Sequence, residues 1–294
     1  MMEWILHFDF KRKKTWWILF FAFLTLFVYG SLYEISDIWL DHIRPVSETG
    51  QRYLMLLFCF CLLLIYFVPF RIFLKWTCRK QKVSLMLPVM AFFSGWFIPG
   101  WVAGDLNDAA TALEKHLFPA WFVRMWGGGL EAPLVEETLK VLVVVFLLYL
   151  VGRQERKHYL IAGMSVGMGF QIGEDFNYIE NAIAGSHKNF MNIIPFTLAN
   201  RVEGAITSHW CLTALMAIGV YLFFHEKKRK SGILFMLCAY LTHAVSDTVL
   251  VNTILIGLPL PMPVTGAIEL YVFWKVYMDT FRNDRETITG NATE

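Results

Sequence analysis

Eight apolar segments limit what this 294-residue chain can fold into; they lie near residues 15–33, 53–70, 83–103, 122–150, 159–182, 203–224, 232–254 and 263–281. A helix of about twenty residues is about 30 Å long, the thickness of a bilayer's hydrocarbon core. Inside lipid every backbone N–H and C=O needs an internal partner, and a helix supplies them all within one segment. The expected fold is an all-α polytopic membrane protein with about eight transmembrane helices. Composition agrees, with 56% hydrophobic and 17% charged residues, too apolar for an ordinary soluble globule. The fourth segment is long enough to tilt or to begin in the interface.

Between these segments the basic residues alternate. Lys11–Lys14, Arg71 to Lys82, Arg153 to Lys157, Lys227–Lys230 and Arg282 with Arg285 fall on one side, whereas Glu34, Asp37 and Asp41 mark the first opposite loop. The positive-inside rule places the basic side, and with it both termini, in the cytoplasm of a multi-pass cell-membrane protein. The N-terminal apolar run is too long for a signal peptide and lacks a small-x-small cleavage site, so it reads as a retained span. On that topology the Asn291 sequon is cytoplasmic and a chance match. A net charge of +2 in short blocks points to membrane orientation and away from nucleic acid. The five cysteines are too scattered for a disulfide or zinc framework and read as small core residues. Gly127–Gly129 predicts a flexible or broken entry to the fourth helix, or close helix packing there.

Four segments carry ionisable residues where lipid-facing side chains would be expected. The fourth has Glu136, Glu137 and Lys140, and the fifth has Glu174 and Asp175, then Glu180. The sixth has Glu203 and His209, and the seventh has His243 and Asp247. A lone charge at a helix centre costs about 2.5–3.5 kcal/mol on insertion scales, so such residues need partners or a purpose. Counted from the cytoplasmic end of each helix, Glu137, Glu174, His209 and Asp247 lie about 20 Å up, and His243 about 17 Å. Four antiparallel helices thus bring acids and histidines into one layer at or just outside the midplane. Glu136 and Lys140, four apart, share a face and can pair, while Glu137 is turned about 100° away. Phe170, Glu174 and Tyr178 form a stripe, and His243 and Asp247 have the spacing of an imidazole oriented by a carboxylate.

Such a layer suits hydrolysis. A glutamate among apolar neighbours can act as general base toward water, and histidines can donate to a developing oxyanion. Alternatively Glu174, His209, His243 and Asp247 can ligate a divalent metal, zinc among them, leaving a glutamate as base. No HExxH is present, so a metal site would be assembled across helices. A buried polar network that only sets helix register is the structural alternative.

The ordered set Glu136-Glu137-x-x-Lys140, Phe170-x-x-x-Glu174 with Tyr178, and His243-x-x-x-Asp247 resembles the motifs of the PrsW family of intramembrane proteases. His209, followed by Thr213 and Gly219, falls where that family has a further histidine-bearing helix. The likeness covers roughly residues 130–250. The family is also similar to the CAAX prenyl proteases and the bacteriocin-processing proteins related to them. Lys140 after two intervening residues, and Glu174 where that group has histidine, favour the PrsW side. Asp175 is a departure, since the family often has Asn there, and it adds an acid that would perturb Glu174 or serve as a ligand.

The resemblance implies an intramembrane peptidase that cuts a membrane-tethered protein near the outer face, typically the first cut in an anti-sigma factor. Glu137 or Glu136 would activate water, and His209 and His243 would stabilise the oxyanion or bind metal. Glu174 would be a second acid/base or ligand, Asp247 would orient His243, and Lys140 would offset the paired carboxylates. Residues 122–254 would form a four-helix catalytic core, with three helices before it (1–121) and a last helix and tail after it (255–294). Two other functions use similar residues. A proton- or ion-coupled transporter would be marked by an inverted repeat, which the chain lacks. A non-catalytic membrane scaffold would tolerate Glu137→Gln.

Overall fold

The computed structural model describes residues 13–37, 46–185, 189–248 and 261–290. Among them every regular element is helical. Helices α1 (Lys14–Asp37) and α2 (Thr49–Lys80) come first, followed by α3 (Met86–Phe97) and α4 (Pro99–Leu117). A short α5 (Ala120–Trp126) leads to α6 (Glu131–Val151) and α7 (Arg156–Ala184). After α8 (Phe190–Phe196) come α9 (His209–Phe224), α10 (Arg229–Ser246) and α11 (Pro261–Gly290). The protein is an all-α membrane protein. Large apolar side chains such as Phe21, Leu57, Ile65, Leu142, Leu234 and Trp274 face outward, as lipid-contacting residues do. By length and apolarity Lys14–Ser36, Thr49–Lys80, Met86–Leu117 and Phe190–Phe224 can each cross a membrane.

Each of the eight apolar segments falls on helix, but several are interrupted. Pro99 divides the third into α3 and α4, because proline lacks the N–H that would continue the ladder. The fourth is not continuous from residue 122. Residues 127–130 turn between α5 and α6, with Gly128 at φ +79°. Glu131 Oε1 accepts from the Gly128 N–H at 2.6 Å and from the Thr111 hydroxyl at 3.1 Å, tying the turn to the start of α6. Glu34, expected in the first outer loop, instead sits within α1, buried, and accepts from the Trp96 indole at 3.2 Å. The sixth segment is broken most deeply. Before it lie α8, which contains Pro195, and a π-helical turn at Thr197–Val202; the segment itself opens on a 3-10 turn at Gly204–Thr207, so regular α-helix starts only at His209. The seventh segment's helix ends at Ser246. Its residues 249–254, together with Lys11, Arg12, Asp41 and Asn291, lie outside the described residues.

Helix α7 is central: every residue from His158 to Gly173 is buried. It packs most extensively on α3 and α9. Gly167 permits the second contact, since a Cβ there would collide with the His209 carbonyl and would lie 2.7 Å from the Trp210 Cα. Gly219 and Gly232 bring α9 and α10 together in the same way, a Cβ on Gly219 falling 2.8 Å from the Gly232 carbonyl. Gly152 ends α6 in the left-handed conformation, at φ +70°, with Arg153 N–H bonded to the Leu148 carbonyl at 3.1 Å, as helix C-termini favour.

The basic end of the bundle is tied by Arg156, buried and paired with Asp279 at 2.6 Å. Glu174 is eighteen residues along α7 from Arg156, about 27 Å away. His209 is the first residue of α9, and His243 lies one turn from the end of α10. All therefore sit at the end of the bundle opposite the basic loops.

Candidate active site

Glu136, Glu137 and Lys140 occupy the first turns of α6, in reach of α7, α9 and α10. Lys140 is fully buried, and its ammonium pairs with Glu137 Oε1 at 2.5 Å, more closely than with Glu136 Oε2 at 3.6 Å. The expected Glu136–Lys140 pair is present, but Glu137, expected to turn away, is the closer partner of the two. Lys140 Nζ also lies 2.8 Å from His209 Nδ1 and 4.2 Å from the centre of the Phe170 ring. Glu137, 1% exposed, accepts from the Thr213 hydroxyl at 3.0 Å and lies 3.2 Å from His243 Nδ1. Its Oε1, although close to Lys140, is buried without a hydrogen-bond partner, and the residue is not among those that line the cavity.

Both histidines meet carboxylates. His209 Nε2 lies 3.1 Å from Glu174 Oε2, and its ring stands edge-on to Phe170 with centroids 4.9 Å apart. His243 Nε2 lies 3.2 Å from Asp247 Oδ2 and 3.9 Å from Glu136 Oε2. The two imidazole centroids are 5.0 Å apart. A carboxylate against one ring nitrogen fixes the tautomer and orientation of the other. The helices thus gather Glu136, Glu137, Lys140, Phe170, Glu174, His209, His243 and Asp247 into one cluster. Glu203 is exposed and stands apart from it.

Arg201, from the π-helical turn, was not legible as a site residue because it precedes the regular part of its helix. Its Nη2 donates to Glu174 at 2.8 Å and its Nε to Asp175 at 2.5 Å, while its guanidinium covers the Tyr178 ring at 4.3 Å. Asp175, fully buried, also accepts from Tyr66 of α2 at 2.7 Å and from Gln171 at 2.8 Å. The extra acid is therefore an anchor for Arg201 and stands behind Glu174. Gln171 in turn accepts from Ser208, the residue before His209. Glu269 of α11 was also missed, although an isolated acid in the eighth apolar segment meets the criterion used for the other four.

These groups border a polar cavity of about 410 Å³, lined by Glu136, Glu174, His209, His243, Asp247 and Glu269 among others. Its wall includes Asn200, Arg201, Gly204, Thr207 and Ser208 from the unwound stretch. Irregular backbone at membrane depth is tolerated where it lines a cavity.

Residues 84–277, about two thirds of the chain, match the model of the PrsW family intramembrane metalloproteases. The chain belongs to that family. No curated protein and no solved structure matches it. As a PrsW-family member it is a membrane-embedded peptidase acting on membrane proteins, and the transporter reading falls away.

The site suits the metal that the family description implies. Glu136, His209 and His243 are all buried and offer ligand atoms within 4.8 Å of one another. Glu136 Oε2 is buried without a hydrogen-bond partner. Carboxylates outnumber cations around it: Glu136, Glu137, Glu174, Asp175, Asp247 and Glu269 against Lys140 and Arg201, a balance that a divalent cation would redress.

Proposed function

We propose that Glu136, His209 and His243 hold a divalent cation, zinc by its donor preference, and that the cavity beside them receives an unwound stretch of a membrane-tethered protein. The reading rests on Glu136 Oε2, an orphaned buried acceptor on the cavity wall with two imidazoles in reach. One carboxylate and two imidazoles with an open position make a catalytic zinc set. Such a cation, when bound, polarises the scissile carbonyl and makes water a competent nucleophile near neutral pH.

The remaining residues orient. Asp247 holds His243 through Nε2, which leaves Nδ1, buried without a hydrogen-bond partner, for the cation, and Glu137, held by Lys140 and Thr213, stands beside that nitrogen. Glu174, held by Arg201, aligns His209. Of the paired glutamates Glu136 is the one at the reaction, because it lines the cavity and Glu137 does not. Lys140 keeps the adjacent carboxylates from repelling each other.

The site's place opposite the basic loops supports cleavage near the outer face of the cell membrane, with both termini cytoplasmic. The catalytic groups gather mainly in residues 122–254. The family resemblance supports a single-pass protein such as an anti-sigma factor as substrate, cut first by this enzyme.

The test is direct. Full-length protein in liposomes is given single-pass reporters that differ in their outer juxtamembrane segment, alongside Glu136→Ala and His243→Ala. Wild type should contain stoichiometric metal and cut at least one reporter near the outer face; both variants should lose metal and cleavage together. Cleavage by verified metal-free protein, or full metal content in both variants, would remove the metal-site reading.

A further inference from the structure

Beyond the motif-bearing helices, α11 sends one acid into the same cavity. Glu269 is 2% exposed, its Oε2 has no hydrogen-bond partner, and it lines the cavity with Glu136, His209 and His243. No ion pair reaches it among the described residues. The adjacent Thr242 hydroxyl, which is in hydrogen-bonding reach of the Glu269 carboxyl, also lies 2.9 Å from the Cys238 carbonyl, so it is shared and leaves Oε2 open. A buried carboxyl oxygen left without a partner costs free energy in a folded protein, so its place on the cavity wall calls for a use.

The packing that delivers it is specific. At Gly266 helix α11 closes on the unwound stretch before His209, where a Cβ would lie 2.7 Å from Thr207 Oγ1. Glu269, three residues on, shares that helix face. Phe273, one further turn along, seats its ring edge-on to Trp210 with centroids 4.9 Å apart. Contacts on both sides thus hold Glu269 at the cavity wall.

Every other acid of the cluster is engaged. Glu137 is tied to Lys140 and Thr213, Glu174 to Arg201 and His209, and Asp247 to His243, while Glu136 belongs to the proposed metal set. A general acid/base must come within hydrogen-bonding reach of the proton it moves, and Glu269 keeps one oxygen open to the cavity for that.

We infer that Glu269 is the proton carrier of peptide hydrolysis in this enzyme, an inference that rests on the metal-site reading above. Its carboxylate takes a proton from water as the water oxygen bonds to the scissile carbonyl carbon. The resulting carboxyl gives that proton to the peptide nitrogen as the C–N bond breaks. One water is consumed, an acid and an amine are released, and Glu269 returns to its starting form.

The experiment uses the full chain in liposomes with a reporter that wild type cuts. Glu269→Gln should lower kcat by about 10²–10⁴-fold, with KM and metal content unchanged. Glu269→Gly should be equally slow, and added formate, a small carboxylate able to enter the vacated space, should restore part of its turnover. If Glu269→Gln does not fold, Glu269→Gly with formate decides. Wild-type kcat in Glu269→Gln overturns the inference. So does a slow Glu269→Gly that formate does not rescue, or a loss of activity that tracks loss of metal. The metal reading fails separately, through Glu136→Ala that keeps its metal, whatever Glu269 does.

Discussion

At the scale of single residues, adjacent glutamates on one helix have different surroundings. Glu136 lines the cavity and has the longer ion pair to Lys140, whereas Glu137 lies off the cavity, enclosed by Lys140, Thr213 and His243. Glu136→Gln should therefore abolish cleavage and metal binding. Glu137→Gln should leave a weakened site, with metal affinity lowered about 10–100-fold, as for residues that orient ligands. Metal titration of the two variants, followed by elemental analysis, checks the difference. Equal losses would show that Glu137 is itself a ligand. Lys140 is the cation these acids share, and it is completely buried. Removing one partner of a buried ion pair costs about 3–5 kcal/mol, so Lys140→Met should unfold at markedly lower temperature in detergent, a shift calorimetry would detect.

At the scale of elements, the site is held by helix contacts that lack chemistry of their own. Gly167 lets α7 close on the first residue of α9. A side chain there would push His209 out of line, and overpacking of this kind costs about 1–3 kcal/mol. Gly167→Val should lower both thermal stability and cleavage. Helix α2 lies wholly outside the stretch that matches the family, yet its Tyr66 completes the anchor of Asp175, Arg201 and Glu174. Hydrogen bonds to charged groups are worth about 1.5–3 kcal/mol. Tyr66→Phe should thus reduce stability and kcat while leaving metal content intact. Wild-type kcat in that variant would show that the anchor does not bear on the reaction.

At the scale of the whole molecule, the bundle has one end tied by Arg156 and basic loops and another end holding the cavity. In a variant lacking native cysteines, Lys157→Cys and Lys228→Cys should escape an impermeant maleimide in intact cells, and Asp108→Cys should react. The reverse pattern would place the cavity on the cytoplasmic side. The proposed metal would join helices α6, α9 and α10, so its removal should be felt across the molecule. A ligand at 100 times its Kd stabilises by about 2.7 kcal/mol. Chelation should therefore lower the unfolding temperature as well as stop cleavage, and added zinc should restore both.

Helical membrane architecture was legible in the chain because a bilayer leaves a long apolar segment almost no other choice. The polar layer was legible too, since acids and histidines in such segments are costly enough to stand out: Glu136, Glu137, Glu174, His209, His243 and Asp247 were singled out that way, and the structure gathers them into one cluster. Partner choice was not, because spacing along one helix cannot show which neighbouring helix a side chain meets. Only the tertiary structure turned Asp175 back toward Tyr66 and brought Arg201 to Glu174. It also decided where α-helix gives way, since the unwound stretch before His209 persists only where a cavity lets its polar backbone be lined rather than buried in lipid. Glu269 falls between the two: its residue type was visible in the chain, but its place on the cavity wall depends on how closely α11 approaches at Gly266.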